Sequence, residues 1–159
     1  MNAAVLTISD GVVAGEREDA SGDALEELLR ADGFEVERDV VPDDRPAIAR
    51  SLKMLAQRVP LILTTGGTGV APRDVTPEVT ASVIDREVPG IVEAIRAASL
   101  AKTPHALLSR GVAGILDSTL IVNLPGSPGG CRDGFAVLRP ALGHALGLIA
   151  GEATQHVQT

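Results

Sequence analysis

The stretch PLILTT (60–65) runs into Gly66-Gly67-Thr68-Gly69 without a single charge. A strand with one wet face alternates apolar and polar side chains, because successive residues point to opposite sides of the sheet. Leu61, Ile62 and Leu63 break that alternation, so both faces of this strand need cover. Strands of that kind belong to parallel sheets, whose crossover helices lie on the two faces. The expected architecture is therefore three-layer α/β/α, with a mostly parallel sheet.

The rest of the chain supplies the other layers. AAVLTIS (3–9) reads as a second buried strand. A helix over 22–33 follows, with Leu25, Leu28 and Leu29 at helical spacing, Ser21 as N-cap and Gly33 as the stop. FEVERDVV (34–41) alternates like a half-exposed strand, and PAIARSLKMLAQ (46–57) is amphipathic behind a first-turn proline. Thr76-Pro77 starts a helix over 77–86, Pro89-Gly90 interrupts it, and helical period resumes over 91–102. AGILDSTLIVNL (113–124) fits a hairpin turning at Asp117-Ser118, or a strand with a turn before it. A closing helix spans about 130–150, with a frayed tail from about 151. No repeat or linker interrupts this βαβαβα order, so a single domain over 1–159 is expected.

Composition narrows the function. Hydrophobic residues make up 45% of 159, yet Phe34 and Phe135 are the only aromatics, so the core is aliphatic. The formal charge is −7 and the only lysines are Lys53 and Lys102. Nucleic-acid binding needs clustered cations or stacking platforms, and neither is present. Cys131 stands alone, which rules out an internal disulfide and a multi-cysteine zinc site. The start MNAAVLTISDG lacks the form of a signal peptide, and no apolar run is long enough to span a membrane. A cytoplasmic protein is expected.

In parallel sheets, ligands sit beyond the carboxyl ends of the strands. Four turns leave strands here with polar or glycine-rich chemistry: Ser9-Asp10-Gly11, Pro42-Asp43-Asp44, Thr65 to Gly69, and Asn123 to Gly130. If the strands are parallel, all four gather on one edge. Gly66, Gly67 and Gly69 around Thr68 suit a loop whose backbone N–H groups face an anion, although a tight turn explains them equally. The loop is neither a Walker A motif nor a dinucleotide fingerprint. Asp74 favours a helix start or a pair with Arg73, and Asp43 or Asp44 caps the next helix, if each is taken alone. Two carboxylates beside a phosphate loop would instead repel each other unless Mg²⁺ lay between them.

Asn123, Pro125, Gly126 and Ser127 precede the last helix, whose N-terminus is a further candidate anion site. Ser109-Arg110 offers a hydroxyl and a cation for an anionic substrate, or a solvated pair. His105, His144 and His156 share no ligand spacing, Cys131 is packed or capping, and no GxSxG nucleophile occurs.

Taken together, ISDGVVAGEREDASGDAL, the PDD turn, LTTGGTGVAPRDVTPEVT, REVPG, LLSRGVAG and IVNLPGSPGG resemble the molybdenum-cofactor biosynthesis family. The likeness is to its MogA/MoaB branch of molybdopterin adenylyltransferases, seen also as the G domain of gephyrin-like fusion proteins, and runs from about Val5 to about Leu148. The resemblance implies a homotrimer that transfers AMP from ATP to the terminal phosphate of molybdopterin, releasing pyrophosphate. The product would pass to a downstream metal-insertion protein. The family's two key aspartates fall on Asp43 and Asp74, with Mg²⁺ between them. Its pterin and nucleotide contacts fall on Gly66 to Gly69, Ser109 and Asn123 to Ser127, with Asp10, Asp19, Ser21 and Gly22 near the same edge. A non-catalytic pterin-binding relative shares these loops, and a second alternative is the related domain of competence-damage-type proteins, which hydrolyses nucleotide pyrophosphates. A purely structural trimer module leaves the loops and aspartates unexplained.

Overall fold

The computed structural model describes residues 1–152. One six-stranded sheet forms from β1 (Asn2–Ile8), β2 (Glu35–Val41), β3 (Leu61–Thr65), β4 (Arg86–Glu87), β5 (Ala113–Leu116) and β6 (Thr119–Leu124), in the order β2-β1-β3-β6-β5-β4. The first four in that order are parallel, and β5 and β4 add an antiparallel edge. The hairpin reading of 113–124 holds, with Asp117 at positive φ in its turn.

The helices are α1 (Asp10–Val13), α2 (Ala20–Ala31), α3 (Arg45–Ala56), α4 (Thr76–Val83), α5 (Pro89–Leu100) and α6 (Pro128–Ile149), with a 3₁₀ turn at Pro104–Leu108. Alternate residues of each buried strand serve different layers. Val5, Leu61, Leu63 and Val122 pack with Leu25, Leu29, Ile95, Phe135 and Leu138 of α2, α5 and α6. Leu6, Ile62 and Ile121 pack with Ile48, Leu52, Leu55 and Val79 of α3 and α4. That is why β3 has no polar face, and it gives the three layers expected.

Several boundaries move. Asp19, not Ser21, caps α2, accepting from the Gly22 amide at 3.1 Å, and Ser21 lies inside the helix. Gly33 follows α2 at a φ of 83°, the conformation that ends it. Thr76 is the first residue of α4, and its hydroxyl donates to Gly66 O at 3.0 Å instead of capping. The helix ends at Val83, because Arg86 and Glu87 pair with β5. Pro89-Gly90 opens α5, where a missing proline N–H is no loss. Of the expected frayed tail, residues 153–159 lie outside the described residues.

The chain order sets the site. From β1 the chain crosses through α2 to β2 on one side, whereas β3 leads onward to β6 on the other. The crevice between the ends of β1 and β3 is the switch point where ligands of such sheets bind. Register aligns Ile8 with Val41, Thr7 with Thr65, and Thr65 with Leu124, so the four polar turns do leave from one edge.

Candidate functional site

Gly66 and Gly67 take φ of 96° and 67°, a backbone that side chains rarely adopt. A methyl on Gly66 would strike the Ile8 carbonyl, and one on Gly67 would strike the Thr76 hydroxyl and approach Asp43 Oδ1 to 3.1 Å. The glycines therefore let the loop pass between the β1 turn, the Asp43 carboxylate and the start of α4. Thr76 ties the loop down through its hydroxyl on Gly66 O and its amide on Gly67 O at 3.2 Å.

The two aspartates of the PDD turn divide their work. Asp44 caps α3, accepting from the Ala47 amide at 3.0 Å. Asp43 is thereby left to the site, where it and Asp10 bond reciprocally. The Asp10 amide donates to Asp43 Oδ2 at 2.9 Å, and the Asp43 amide donates to Asp10 Oδ1 at 3.0 Å. Arg73 donates to Asp10 Oδ2 at 2.5 Å and to the Asp43 carbonyl at 3.2 Å. Asp74 accepts from the Ala71 amide at 2.9 Å, and its Oδ2 lies 2.9 Å from where a methyl on Gly69 would stand.

Charge is unevenly compensated here. The Arg73 hydrogen bond, helped by the Asp43 amide, holds the Asp10 carboxyl below its ordinary range. Burial pushes Asp43 above its ordinary range, and the carboxylates of Asp10 and Asp74 add to that against the Asp10 amide and Arg73. Ionised Asp43 is thus short of positive charge. A divalent cation fits that deficit. Among the described residues no cluster of three or more His, Cys, Asp or Glu could cage a metal. Two carboxylates with phosphate oxygens and water make a donor set suited to Mg²⁺.

Two cavities flank the loop. One, of about 320 Å³, is lined by Ser9, Arg17, Ser21, Asp43 and Gly66. The other, of about 440 Å³, is lined by Thr68, Gly69, Lys102, Ser109, Ser127 and Asp133. Gly67, Asp74 and Gly126 line both. A family model described as "Probable molybdopterin binding domain" matches residues 4–144. The chain belongs to this molybdopterin-binding family. Molybdopterin adenylyltransferase of Helicobacter pylori strain J99 is 41% identical over 156 residues, covering 95% of this chain and 89% of its own. The Escherichia coli K12 protein of the same name is 40% identical over 147 residues, covering 89% and 75%. The crystal structure of molybdopterin biosynthesis enzyme MoaB from Thermus thermophilus superposes with a TM-score of 0.89 at 48% identity, covering 97% and 99%.

Within this molybdopterin-binding domain, most residues singled out from sequence meet at the two cavities. Ser21, Asp43, Asp74, Gly66 to Gly69, Ser109, Pro125, Gly126 and Ser127 line one or both. Asp10 sits beside them, bonded to Asp43 and Arg73. Asn123 does not reach either cavity. Its amide donates to the hydroxyls of Thr64 and Thr80 and accepts from the Val112 amide, so it locks β6 to its neighbours. Ser127 caps α6 through the Gly130 amide at 3.1 Å while facing the larger cavity. Cys131 is buried and bonded to Thr65 Oγ1 and Pro125 O, and burial raises its thiol to about 11, which fits the packed role.

Two features escaped the sequence, and the reading of a third changes. Lys102, in the turn after α5, and Asp133, on α6, pair at 2.5 Å and both line the larger cavity. Arg17 lines the smaller one from the segment between α1 and α2. Arg110, expected from sequence as a substrate cation or part of a solvated pair, instead bonds the loop backbone and Glu78 and lines neither cavity. Only its position beside Ser109 in LLSRG marked it out. No helix among the described residues is long and apolar enough to cross a membrane.

Proposed function

We propose that this protein transfers AMP from ATP to the terminal phosphate of molybdopterin, as a step of molybdenum cofactor biosynthesis. The observation that carries the reading is the wall of Gly67, Asp74 and Gly126 common to two cavities, beside an Asp43 short of positive charge. Two substrates in adjacent chambers can bring their phosphates together only at such a wall.

The smaller chamber takes the nucleotide, because Asp43 and Arg17 stand there with the turn after β1. The larger takes the pterin, with Leu108, Ala106 and Pro125 against its rings and Ser109 and Lys102 for polar groups. An oxygen of the molybdopterin phosphate, already ionised, attacks the α-phosphorus. A new P–O bond forms, the α–β bridge breaks, and pyrophosphate leaves with the electron pair. No side chain needs to take a proton, so the reaction calls for no catalytic histidine. Asp43 and Asp74 would hold Mg²⁺, which supplies neutralisation of the triphosphate when bound. The amides of the glycine loop orient a phosphate, and rigid placement does most of the work.

We place the reaction in the cytoplasm, in a homotrimer that hands its product to a metal-insertion protein. A single-turnover mixture of protein, ATP, Mg²⁺ and molybdopterin should give adenylylated molybdopterin and pyrophosphate in equal amounts by mass spectrometry. Neither should form without Mg²⁺. Tight pterin binding with no transfer would make this a pterin-binding relative and overturn the reading.

A further inference from the structure

Ser109 and Arg110 are neighbours with different outlooks: the first lines the larger cavity, and the second lies against the back of the loop. The Arg110 amide donates to Thr68 O at 2.9 Å. Its Nε donates to Gly69 O at 2.7 Å and its Nη2 to Asp74 O at 2.9 Å, while Nη1 meets the Glu78 carboxylate. One guanidinium thus joins both ends of the segment from Gly69 to Asp74. Between those ends Val70, Ala71, Pro72 and Arg73 are all exposed. Inside the segment, the Ala71–Asp74 turn bonds tie it only to itself. Its other link to the body is the exposed Arg73 side chain, which reaches the half-buried Asp10 and the Asp43 carbonyl. Glu78, on the first turns of α4, fixes the guanidinium from behind, and Arg110 holds its carboxyl below the ordinary range.

We infer that Arg110 is a positioning residue for the transfer, acting through Asp74 and the glycine loop, and that Glu78 acts through Arg110. The inference rests on the adenylyl-transfer reading above. Arg110 spans two carbonyls and a carboxylate with a planar fork of donors, a task that the single ammonium of lysine cannot repeat. A displacement of about 1 Å at a reacting site is worth about 100-fold in rate.

The test is single-turnover transfer by Arg110→Ala, Arg110→Lys and Glu78→Gln, each also combined with Asp74→Ala. Arg110→Ala and Arg110→Lys should both slow transfer about 10- to 100-fold, as for groups that orient a metal ligand, and Glu78→Gln should slow it less. In the Asp74→Ala background, Arg110→Ala should add less than about threefold, because the two act on one element. Amide hydrogen exchange over 66–76 should speed up in Arg110→Ala, with the sheet unchanged. Additive losses, or a lysine variant with full activity, would overturn the inference while leaving the transferase reading intact. An unsubstituted protein that makes no adenylylated product would overturn both. If the alanine variant fails to fold, the lysine and Glu78→Gln variants decide the matter by the same rate and exchange criteria.

Discussion

The cavity beside the end of β1 is walled by Ser9, Ser21 and Asp43, and the one beside β6 by Lys102, Ser109 and Leu108. The first is built from turns that end parallel strands and the start of α2, with a carboxylate that burial and its neighbours make unwilling to ionise. The second borrows its outer wall from the end of α5 and the 3₁₀ turn, elements outside the sheet, and carries a lysine–aspartate pair. Their difference teaches a division of labour. On the proposed reading, the sheet edge holds the metal and the triphosphate, and the helical lip shapes the chamber for the pterin. Asp74 belongs to both.

Removing the common wall should do the most damage. Asp74→Ala should lower single-turnover transfer about 100- to 1000-fold, the range for a lost charge-stabilising group, with little change in melting midpoint by circular dichroism. A variant retaining the original rate would strip the shared wall of its role. Next come changes confined to one chamber. Ser109→Ala should raise the KM for molybdopterin about tenfold and leave that for ATP alone, while Arg17→Ala should do the reverse. Equal shifts in both constants from either variant would merge the two chambers into one.

The smallest effect separates function from stability. Because the folded-state value of Asp43 is raised, its contribution to stability is fully present at low pH, where it is protonated, and is lost as pH rises through that value. At pH 8 the ionised side chain is a liability that Asp43→Asn removes. The melting midpoint of that variant should rise by about 1–2 °C at pH 8, and the gain should vanish as pH falls below the carboxylate range, even as transfer slows. A lower midpoint at pH 8 would show that Asp43 is already compensated.

The two regions also differ in how openly the sequence announces them. The unbroken apolar run of β3 forces cover on both faces, and its parallel neighbours then carry Asp10, Asp43 and the glycine loop to one edge. Each of those steps follows from side-chain period and chain order. Asn123 misled because it sits at a strand end like the others, yet Thr64, Thr80 and Val112 consume its amide. Lys102 and Asp133 could not be paired in advance, since nothing local dictates how α5 lies against α6. The role of Arg110 was hidden for the same reason, because two of its partners are backbone carbonyls that carry no sequence signal and the third, Glu78, is distant in the chain. Strand β4 has only two residues, too few for any period to register.

The claim that two chambers meet at one wall is tested most directly by a crystal structure of the ternary complex. The complex would hold Mg²⁺, molybdopterin and an ATP analogue whose α–β bridge cannot break. The account predicts the nucleotide beside Asp43, the pterin beside Ser109, and the pterin phosphate oxygen within about 3.5 Å of the α-phosphorus, next to Gly67 and Asp74. Both ligands competing for a single cavity, or phosphates held apart on opposite sides of Asp74, would contradict it.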